Sequence, residues 1–585
     1  MEIFRKFRSL LTPSERKGAL VLLFLMVIGM ALETLGIGLV IPLVGLMMQD
    51  DLANRYVFVA RVYDKLGDPS QPELVMWGML FLVTVYGVKN LFLAFLAWRQ
   101  ARFAFGVQEQ LSQRLFDIYL GQQYTFHLLR NSAQLIRNVT IETNLLTISI
   151  SAFLLIMTEA LVIIGIAVLL LCIEPVGAVL VVSILAIAGY GFLKLTRNKI
   201  MRWGTTRQYH DGMRIQHLQE GLGGVKDVLL LGRGINFLKE YATHNSKSAR
   251  VAGQQVGLQQ MPRLGLEFLA ISGLSMLVVI MIRQGGKIEN VLPILGLFAA
   301  AAFRLLPSAN RMLQSIQTVR YGIPIIDTLY EELKLKIDGH DTKPTCTMPF
   351  IQELQVRNLT FMYPNTTSPA LNNISLNIRK GESIGFIGTS GSGKSTLVDI
   401  IMGLLVPNIG EVVVDGQEIT KNLRGWQSKI GYVPQSIYLT DDTLRRNIAF
   451  GLADDQIDES AVMRAIKAAQ LDEFITSLEI GLDTIVGERG VRLSGGQRQR
   501  IGIARALYHD PQVLILDEAT SALDTTTEEG IMEAIEALHG AKTIIIVAHR
   551  LSTVENCDRL YRLALGSLVD ETVPTAKIMQ ETFSK

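Results

Sequence analysis

Ser383-Ile384-Gly385-Phe386-Ile387 runs directly into Gly388-Thr389-Ser390-Gly391-Ser392-Gly393-Lys394-Ser395-Thr396 and then Leu397-Val398-Asp399-Ile400-Ile401. An apolar strand-like run, a glycine-rich loop and an amphipathic start of a helix follow one another without interruption. The middle stretch fits G-x-x-x-x-G-K-[ST], a phosphate-binding loop, in the context that such a loop requires. Glycines allow successive backbone N–H groups to close around phosphate oxygens at the positive end of a helix. In that arrangement Lys394 reaches the β- and γ-phosphates of ATP, and the Ser395 hydroxyl is a ligand for Mg²⁺. The fold expected around the loop is α/β.

Further strand-like runs flank it: Val412-Val413-Val414, Val513-Leu514-Ile515-Leu516 and Thr543–Val547, alternating with helical stretches. Asp517 and Glu518 end the third of these runs. A carboxylate at a buried strand end can hold Mg²⁺ through water, and Glu518 can orient and deprotonate an attacking water. Two solvated acids at a strand end are the plain alternative, and a neighbouring phosphate loop makes it the poorer one.

The amino-terminal half reads differently. Hydrophobic residues make up 49% of the 585 and charged residues only 19%, too apolar a balance for a wholly soluble chain. Long apolar stretches recur up to about Tyr321. Spans need about 20 such residues, and six candidates emerge: Leu20–Val44, Leu74–Ala97, Leu145–Ile173, Val176–Leu195, Leu264–Ile282 and Val291–Leu306. The first apolar run, Gly18–Met48, is far longer than the core of a cleaved signal. Lys and Arg crowd the connections after the second and fourth spans, from Arg99 to Arg130 and from Lys194 to Arg250. That bias puts the amino terminus and the long connections in the cytosol.

Those connections, Phe105–Leu135 and Tyr209–Val251, read as helices continuing out of the membrane, with turns near Gln122–His127 and Gly232–Gly234. The first external loop, Asp50–Pro72, carries Leu52, Tyr56, Val59, Tyr63 and Leu66 at helical spacing. It suits an amphipathic helix on the outer surface, or equally one packed on the spans. The organisation expected is a membrane domain over 1–330, a polar linker over 331–350 and an ATPase domain over 351–585. The formal net charge of +2 suggests no nucleic-acid partner. Three scattered cysteines, Cys172, Cys346 and Cys557, match neither a disulfide framework nor a zinc site.

Leu493-Ser494-Gly495-Gly496-Gln497 matches the LSGGQ signature of ABC ATPases. Gln435 in Tyr432-Val433-Pro434-Gln435 resembles the Q-loop glutamine, Ser521-Ala522-Leu523-Asp524 the D-loop, and His549 the switch histidine. Tyr363 sits where that family stacks an aromatic on adenine. The set runs in the family's order from Ile351 to about Glu571. The resemblance implies ATP held by Tyr363, residues 388–396 (Gly388, Thr389, Ser390, Gly391, Ser392, Gly393, Lys394, Ser395 and Thr396), Gln435, and Ser494, Gly495, Gly496 and Gln497. It implies Mg²⁺ at Ser395, Gln435 and Asp517, with Glu518 and His549 catalytic. It also implies pairing, because this family binds nucleotide between the phosphate loop of one ATPase domain and the LSGGQ of another. A chain with one of each resembles a half-transporter, most simply a homodimer, of the exporter-type fold. The turns near Tyr124–Leu129 and Gly232–Phe237 would then couple the two domains.

Charges within spans cost about 2.5–3.5 kcal/mol each, so they are functional candidates. Lys89, Arg263, Arg304 and Arg311 all fall in or beside the cytosolic half of their spans. Arg304 and Arg311 are seven apart, on one helical face. Such cations would suit a diphosphate headgroup; ion pairing with Glu33, Glu159 and Glu267 is the alternative. Ala302-Phe303-Arg304-Leu305-Leu306-Pro307-Ser308-Ala309-Asn310-Arg311 resembles the matching stretch of PglK-type flippases. That resemblance implies a cell inner-membrane protein with a cytoplasmic ATPase domain. It would turn polyprenyl-diphosphate-linked oligosaccharide from the cytosolic to the outer leaflet, with membrane lipid as a further partner. A general exporter of lipids, drugs or peptides, or an ATP-gated channel or regulator, are the other classes open to such a chain.

Overall fold

The computed structural model describes residues 2–39, 71–173, 175–283, 288–335, 348–519, 525–548, 550 and 553–573. Most of the external loop expected over Asp50–Pro72, the middle of the linker, Ser521–Asp524 and His549 lie outside these, as does Cys346. The chain divides into two compact units. One comprises Met1–Gln122 and Leu129–Asp338, the other Gln123–Leu128 and Gly339–Lys585.

The first unit is helical. A short helix, Glu2–Leu10, precedes Pro13–Gly38. Thr12 starts the second by a reciprocal cap: its hydroxyl accepts from the Glu15 amide at 3.3 Å, and Glu15 Oε2 accepts from the Thr12 amide at 2.6 Å. Proline at the first helical position adds a preset φ where no N–H is needed. Long helices follow over Gln71–Leu120, Thr143–Ile173, Pro175–Gly223, Gly234–Arg283 and Ile288–Leu333. These helices contain the five later predicted spans. The 50-residue helices are about 75 Å long at ~1.5 Å per residue, over twice the ~30 Å of a hydrocarbon core. Each is therefore long enough to cross a bilayer and continue beyond it as one helix. By length and composition, three helices among the described residues can cross a membrane: Pro13–Gly38, Val75–Leu120 and Ser132–Cys172.

The breaks are more structured than the sequence foretold. The turn expected near Gln122–His127 is present and leads at once into a short helix, Tyr124–Leu129. Phe126, Leu128 and Leu129 are adequate helix formers, which is why the stretch does not stay irregular. The turn expected at Gly232 is present, with Gly232 at φ +62. An additional break at Gly224 creates the short helix Val225–Leu230. Asn138–Glu142 is a π-helical insertion, and Glu142 there is fully buried beside two arginines. Arg207 Nη2 lies 3.4 Å from its Oε2 and Arg137 Nε 3.5 Å from its Oε1.

Packing within this unit alternates apolar layers with such polar pairs. Val162, Ile166 and Leu170 of Thr143–Ile173 pack on Leu305. Ile200, Val251 and Tyr321 form a second cluster, which joins Pro175–Gly223 and Gly234–Arg283 to the helix that carries Leu305. Leu20, Phe24, Phe81, Leu91 and Leu195 face outward, as side chains against lipid do.

The second unit is α/β. A four-stranded antiparallel sheet has the order β2-β1-β4-β5, with β1 Glu353–Phe361, β2 Leu371–Arg379, β4 Ile409–Val414 and β5 Gln417–Glu418. A six-stranded sheet has the order β10-β9-β3-β8-β7-β6. Its strands are β3 Ser383–Ile387, β6 Ile430–Val433, β7 Val513–Asp517, β8 Thr543–Val547, β9 Arg559–Ala564 and β10 Ser567–Thr572. All its pairings are parallel except the edge hairpin β9–β10. Strands β3, β7 and β8 are buried along their whole length, which accounts for their unbroken apolar runs. Met348 and Phe350 belong to the core of this unit, packed with Leu354, Trp426 and Ile401.

Candidate nucleotide site

Residues 388–396 leave the carboxyl end of β3 and enter the helix Lys394–Ile401. Gly393 caps that helix at φ +103, and a Cβ there would lie 2.9 Å from the Ala370 carbonyl oxygen. Gly388, at φ +148, passes so close to the Leu563 carbonyl that a Cβ would sit 2.2 Å from its oxygen. Both positions demand glycine for conformation and for space.

Lys394 is buried, and its ammonium donates to the Gly388 and Thr389 carbonyl oxygens at 2.9 and 3.1 Å. Burial lowers its pKa, while the neighbouring Glu518 and Asp517 carboxylates oppose that shift. The Ser392 hydroxyl is buried with no hydrogen-bond partner. A buried ammonium on the loop carbonyls beside a buried hydroxyl with no partner fits a phosphate group as the ligand of this loop.

Across the loop, Ser395 Oγ lies 3.4 Å from Asp517 Oδ1 at the end of β7. Burial raises the Asp517 pKa, and the Glu518 charge adds to the rise; hydrogen bonds from Ser395 and Tyr432 and the Lys394 charge oppose it. Gln435 follows β6, and its amide donates to Glu518 Oε2 at 2.6 Å. Glu518 stands at φ +49, a left-handed backbone uncommon for a residue other than glycine. Strain of this kind concentrates at functional sites. The set Ser395, Asp517 and Gln435, all oxygen donors, suits a hard divalent cation such as Mg²⁺.

Tyr363 packs edge-on against Phe361, centroids 5.0 Å apart, and its hydroxyl is 3.0 Å from Thr396 Oγ1. That ties the expected adenine platform to the helix of the phosphate loop. Ser494 caps the helix Gly495–Leu507: its Oγ accepts from the Gln497 amide at 3.2 Å, and Gln497 Oε1 accepts from the Ser494 amide at 2.8 Å. Gly495 and Gly496, lacking side chains, leave the first turn of that helix open. His549 itself lies outside the described residues, but β8 ends two residues before it.

Two residues of this site escaped the sequence reading. Asp399, one helical turn after Ser395, has its pKa pushed up to about 6 by burial and by Asp517. Tyr432 on β6 has its pKa raised by burial and by the Asp517 and Asp399 carboxylates. The i,i+4 spacing of Ser395 and Asp399 was the available signal for the first. Nothing local marks the second, since β6 reaches β7 only through the sheet.

The membrane cations find individual partners. Lys89 Nζ lies 3.3 Å from Glu33 Oε2, both buried, and 4.1 Å from the centre of the Tyr86 ring. Arg311 Nε lies 2.5 Å from Glu159 Oε1, and Arg263 Nε 2.8 Å from Glu267 Oε1 at the surface. The ion-pair alternative is thus realised for these three. Arg304 lies on the helix Ile288–Leu333, with its side chain outside the described residues.

Comparison with known proteins places this geometry. Residues 371–521 match the family described as ABC transporter, and residues 54–284 the ABC transporter transmembrane region. A Cupriavidus pinatubonensis protein named ATP-dependent lipid A-core flippase is 32% identical over 472 residues, 79% of this chain and 78% of its own. A Syntrophus aciditrophicus protein of the same name is 29% identical over 535 residues, 91% of this chain and 88% of its own. The solved structure of a bacterial Atm1-family ABC exporter with ATP bound has a TM-score of 0.79 at 22% identity. It covers 97% of this chain and 96% of that one, a likeness of fold. The chain belongs to the ABC transporters, as an exporter-type half-transporter that joins a membrane domain to an ATPase and couples ATP hydrolysis to translocation.

Proposed function

We propose that two copies of this chain form a flippase for polyprenyl-diphosphate-linked oligosaccharide in the cell inner membrane, moving it from the cytosolic to the outer leaflet. Residues 1–330 carry the lipid, 331–350 connect, and 351–585 hydrolyse ATP in the cytoplasm. Similarity over most of the chain to proteins named ATP-dependent lipid A-core flippase supports a lipid flippase. The Ala302–Arg311 stretch directs it to a diphosphate lipid, with Arg304 and Arg311 on one face.

Lys394 and the loop amides hold the ATP phosphates, and Tyr363 the adenine. Ser395, Gln435 and Asp517 hold Mg²⁺, which when bound neutralises charge on the phosphate oxygens. Glu518 takes the proton of the attacking water, and His549 contacts the reacting end. Residues 494–497 of the second copy close the site. Closure passes to the membrane helices through the turns at Tyr124–Leu129 and Gly232–Phe237. Leu229, Leu230, Leu231, Ile235 and Leu238 are exposed around the second turn, an apolar patch that needs cover in a working assembly.

A second reading, lipid A-core as cargo, is favoured by the relatives' names alone. Reconstitution in liposomes separates the two. Labelled polyprenyl-diphosphate oligosaccharide should flip with ATP in the wild type and stay put with Glu518→Gln. Flipping of lipid A-core and none of the diphosphate lipid overturns the first reading. The Arg304→Ala/Arg311→Ala chain should lose flipping and keep basal hydrolysis. Glu159→Gln, run alongside, separates loss of the ion pair from loss of the headgroup contact.

A further inference from the structure

Four ionisable side chains that the nucleotide chemistry does not use meet between two cytosolic helix extensions. His210 and His217 are seven residues apart on Pro175–Gly223, so they share a face two turns apart. Glu240 and His244 are four apart on Gly234–Arg283 and share the facing side. His217, Glu240 and His244 each offer one ligand atom, and these atoms lie within 4.8 Å of one another. The two imidazoles are half-buried and Glu240 is exposed, so an ion has an open way in.

The histidines are also oriented from behind. His217 Nδ1 is 3.2 Å from Glu220 Oε2, and Glu220 in turn accepts from the Gln216 amide at 2.8 Å. His244 Nδ1 is 2.8 Å from His210 Nδ1. With His217 and His244 each donating from Nδ1, to Glu220 and His210, Nε2 of both rings keeps its lone pair for a metal. Carboxylate–histidine–metal relays are built this way, the outer hydrogen bond setting tautomer and ring direction.

We propose that His217, Glu240 and His244 form a binding site for a borderline divalent cation of the Zn²⁺ class, with His210 and Glu220 as supporting groups. Two imidazoles and a carboxylate are a recognised zinc donor set, with water completing the tetrahedron. Zn–N and Zn–O bonds of about 2.0–2.2 Å place ligand atoms roughly 3.3 Å apart. The side chains therefore draw together on binding, within the reach of rotamer adjustment. Lys247, whose charge acts on His244, weakens the site and sets it apart from a tight structural zinc. The bound ion clamps Pro175–Gly223 to Gly234–Arg283 just before the hairpin that joins them at Gly224–Gly234.

The test uses the full chain in detergent, freed of any purification tag and stripped of metal. Zn²⁺ is titrated against a chromophoric chelator, and Co²⁺ is loaded separately for its visible spectrum. The wild type should bind one Zn²⁺ per chain that His217→Ala/His244→Ala loses, with affinity down at least about tenfold. Glu240→Gln, at an exposed position, should weaken binding and leave ATPase activity in Mg²⁺ buffer free of Zn²⁺ and Co²⁺ intact, which verifies the fold. Co²⁺ should give the absorption of a four-coordinate ion in the wild type only. Equal stoichiometry and affinity in wild type and double variant, or a Co²⁺ spectrum that the double variant retains, would overturn the site.

Discussion

Gln435 Nε2 donates to Glu518 Oε2 across 2.6 Å, joining the second residue after β6 to the residue that follows β7. The bond holds the Glu518 carboxylate at the mouth of the phosphate loop, on a backbone kept at φ +49. Amidation at this position preserves shape and removes the proton acceptor. Glu518→Gln should therefore lower steady-state ATP hydrolysis by roughly 10²- to 10⁴-fold. Nucleotide affinity should hold. Phosphate release and filter binding, run on one preparation, check both; hydrolysis at the wild-type rate would remove Glu518 from the chemistry.

Gly393→Ala tests the loop's backbone. The new methyl would meet the Ala370 carbonyl at 2.9 Å and Leu371 Cδ2 at 2.6 Å, on a residue at φ +103. Strain of about 1–3 kcal/mol is expected, with the loop displaced from its cradle. Nucleotide affinity should fall more than tenfold, and the ATPase domain should unfold at a lower temperature.

Asp399 gives a pH signature. Its folded pKa, about 6, is above the ordinary 3.8, so the folded form binds a proton more tightly than the unfolded one. Its charge therefore destabilises the fold above pH 6, and the penalty disappears as pH falls from about 6 to 3.8. Asp399→Asn should raise the melting temperature at pH 7.5, and the gain should shrink on acidification through that window. Scanning calorimetry at several pH values reads this directly; a gain independent of pH would assign the effect to packing.

The Lys89–Glu33 pair is buried on both sides, with side chains 9% and 5% exposed. Removing one member of a buried pair costs about 3–5 kcal/mol, while replacing both is often neutral. Lys89→Met alone should lower thermal stability in detergent markedly. Lys89→Met with Glu33→Gln should recover most of the loss. Equal damage from the single and double variants would show that Lys89 acts through something other than its pairing.

The sequence by itself determined the local chemistry: the phosphate loop between a strand and a helix, the acid pair ending an apolar run, the signature at a helix start, and the long apolar helices. Each of these is written in contiguous residues, where periodicity and backbone demands act. Tertiary structure alone decided what meets what. The chain makes β3, β6, β7 and β8 in that order, yet the sheet sets them as β3-β8-β7-β6. Their carboxyl ends therefore bring Lys394, Asp517, Glu518 and Gln435 to one edge. The same holds for Lys89 with Glu33 and Arg311 with Glu159, 56 and 152 residues apart in the chain. Strand pairing and helix packing bury side chains against partners distant along the chain, and no local pattern names those partners.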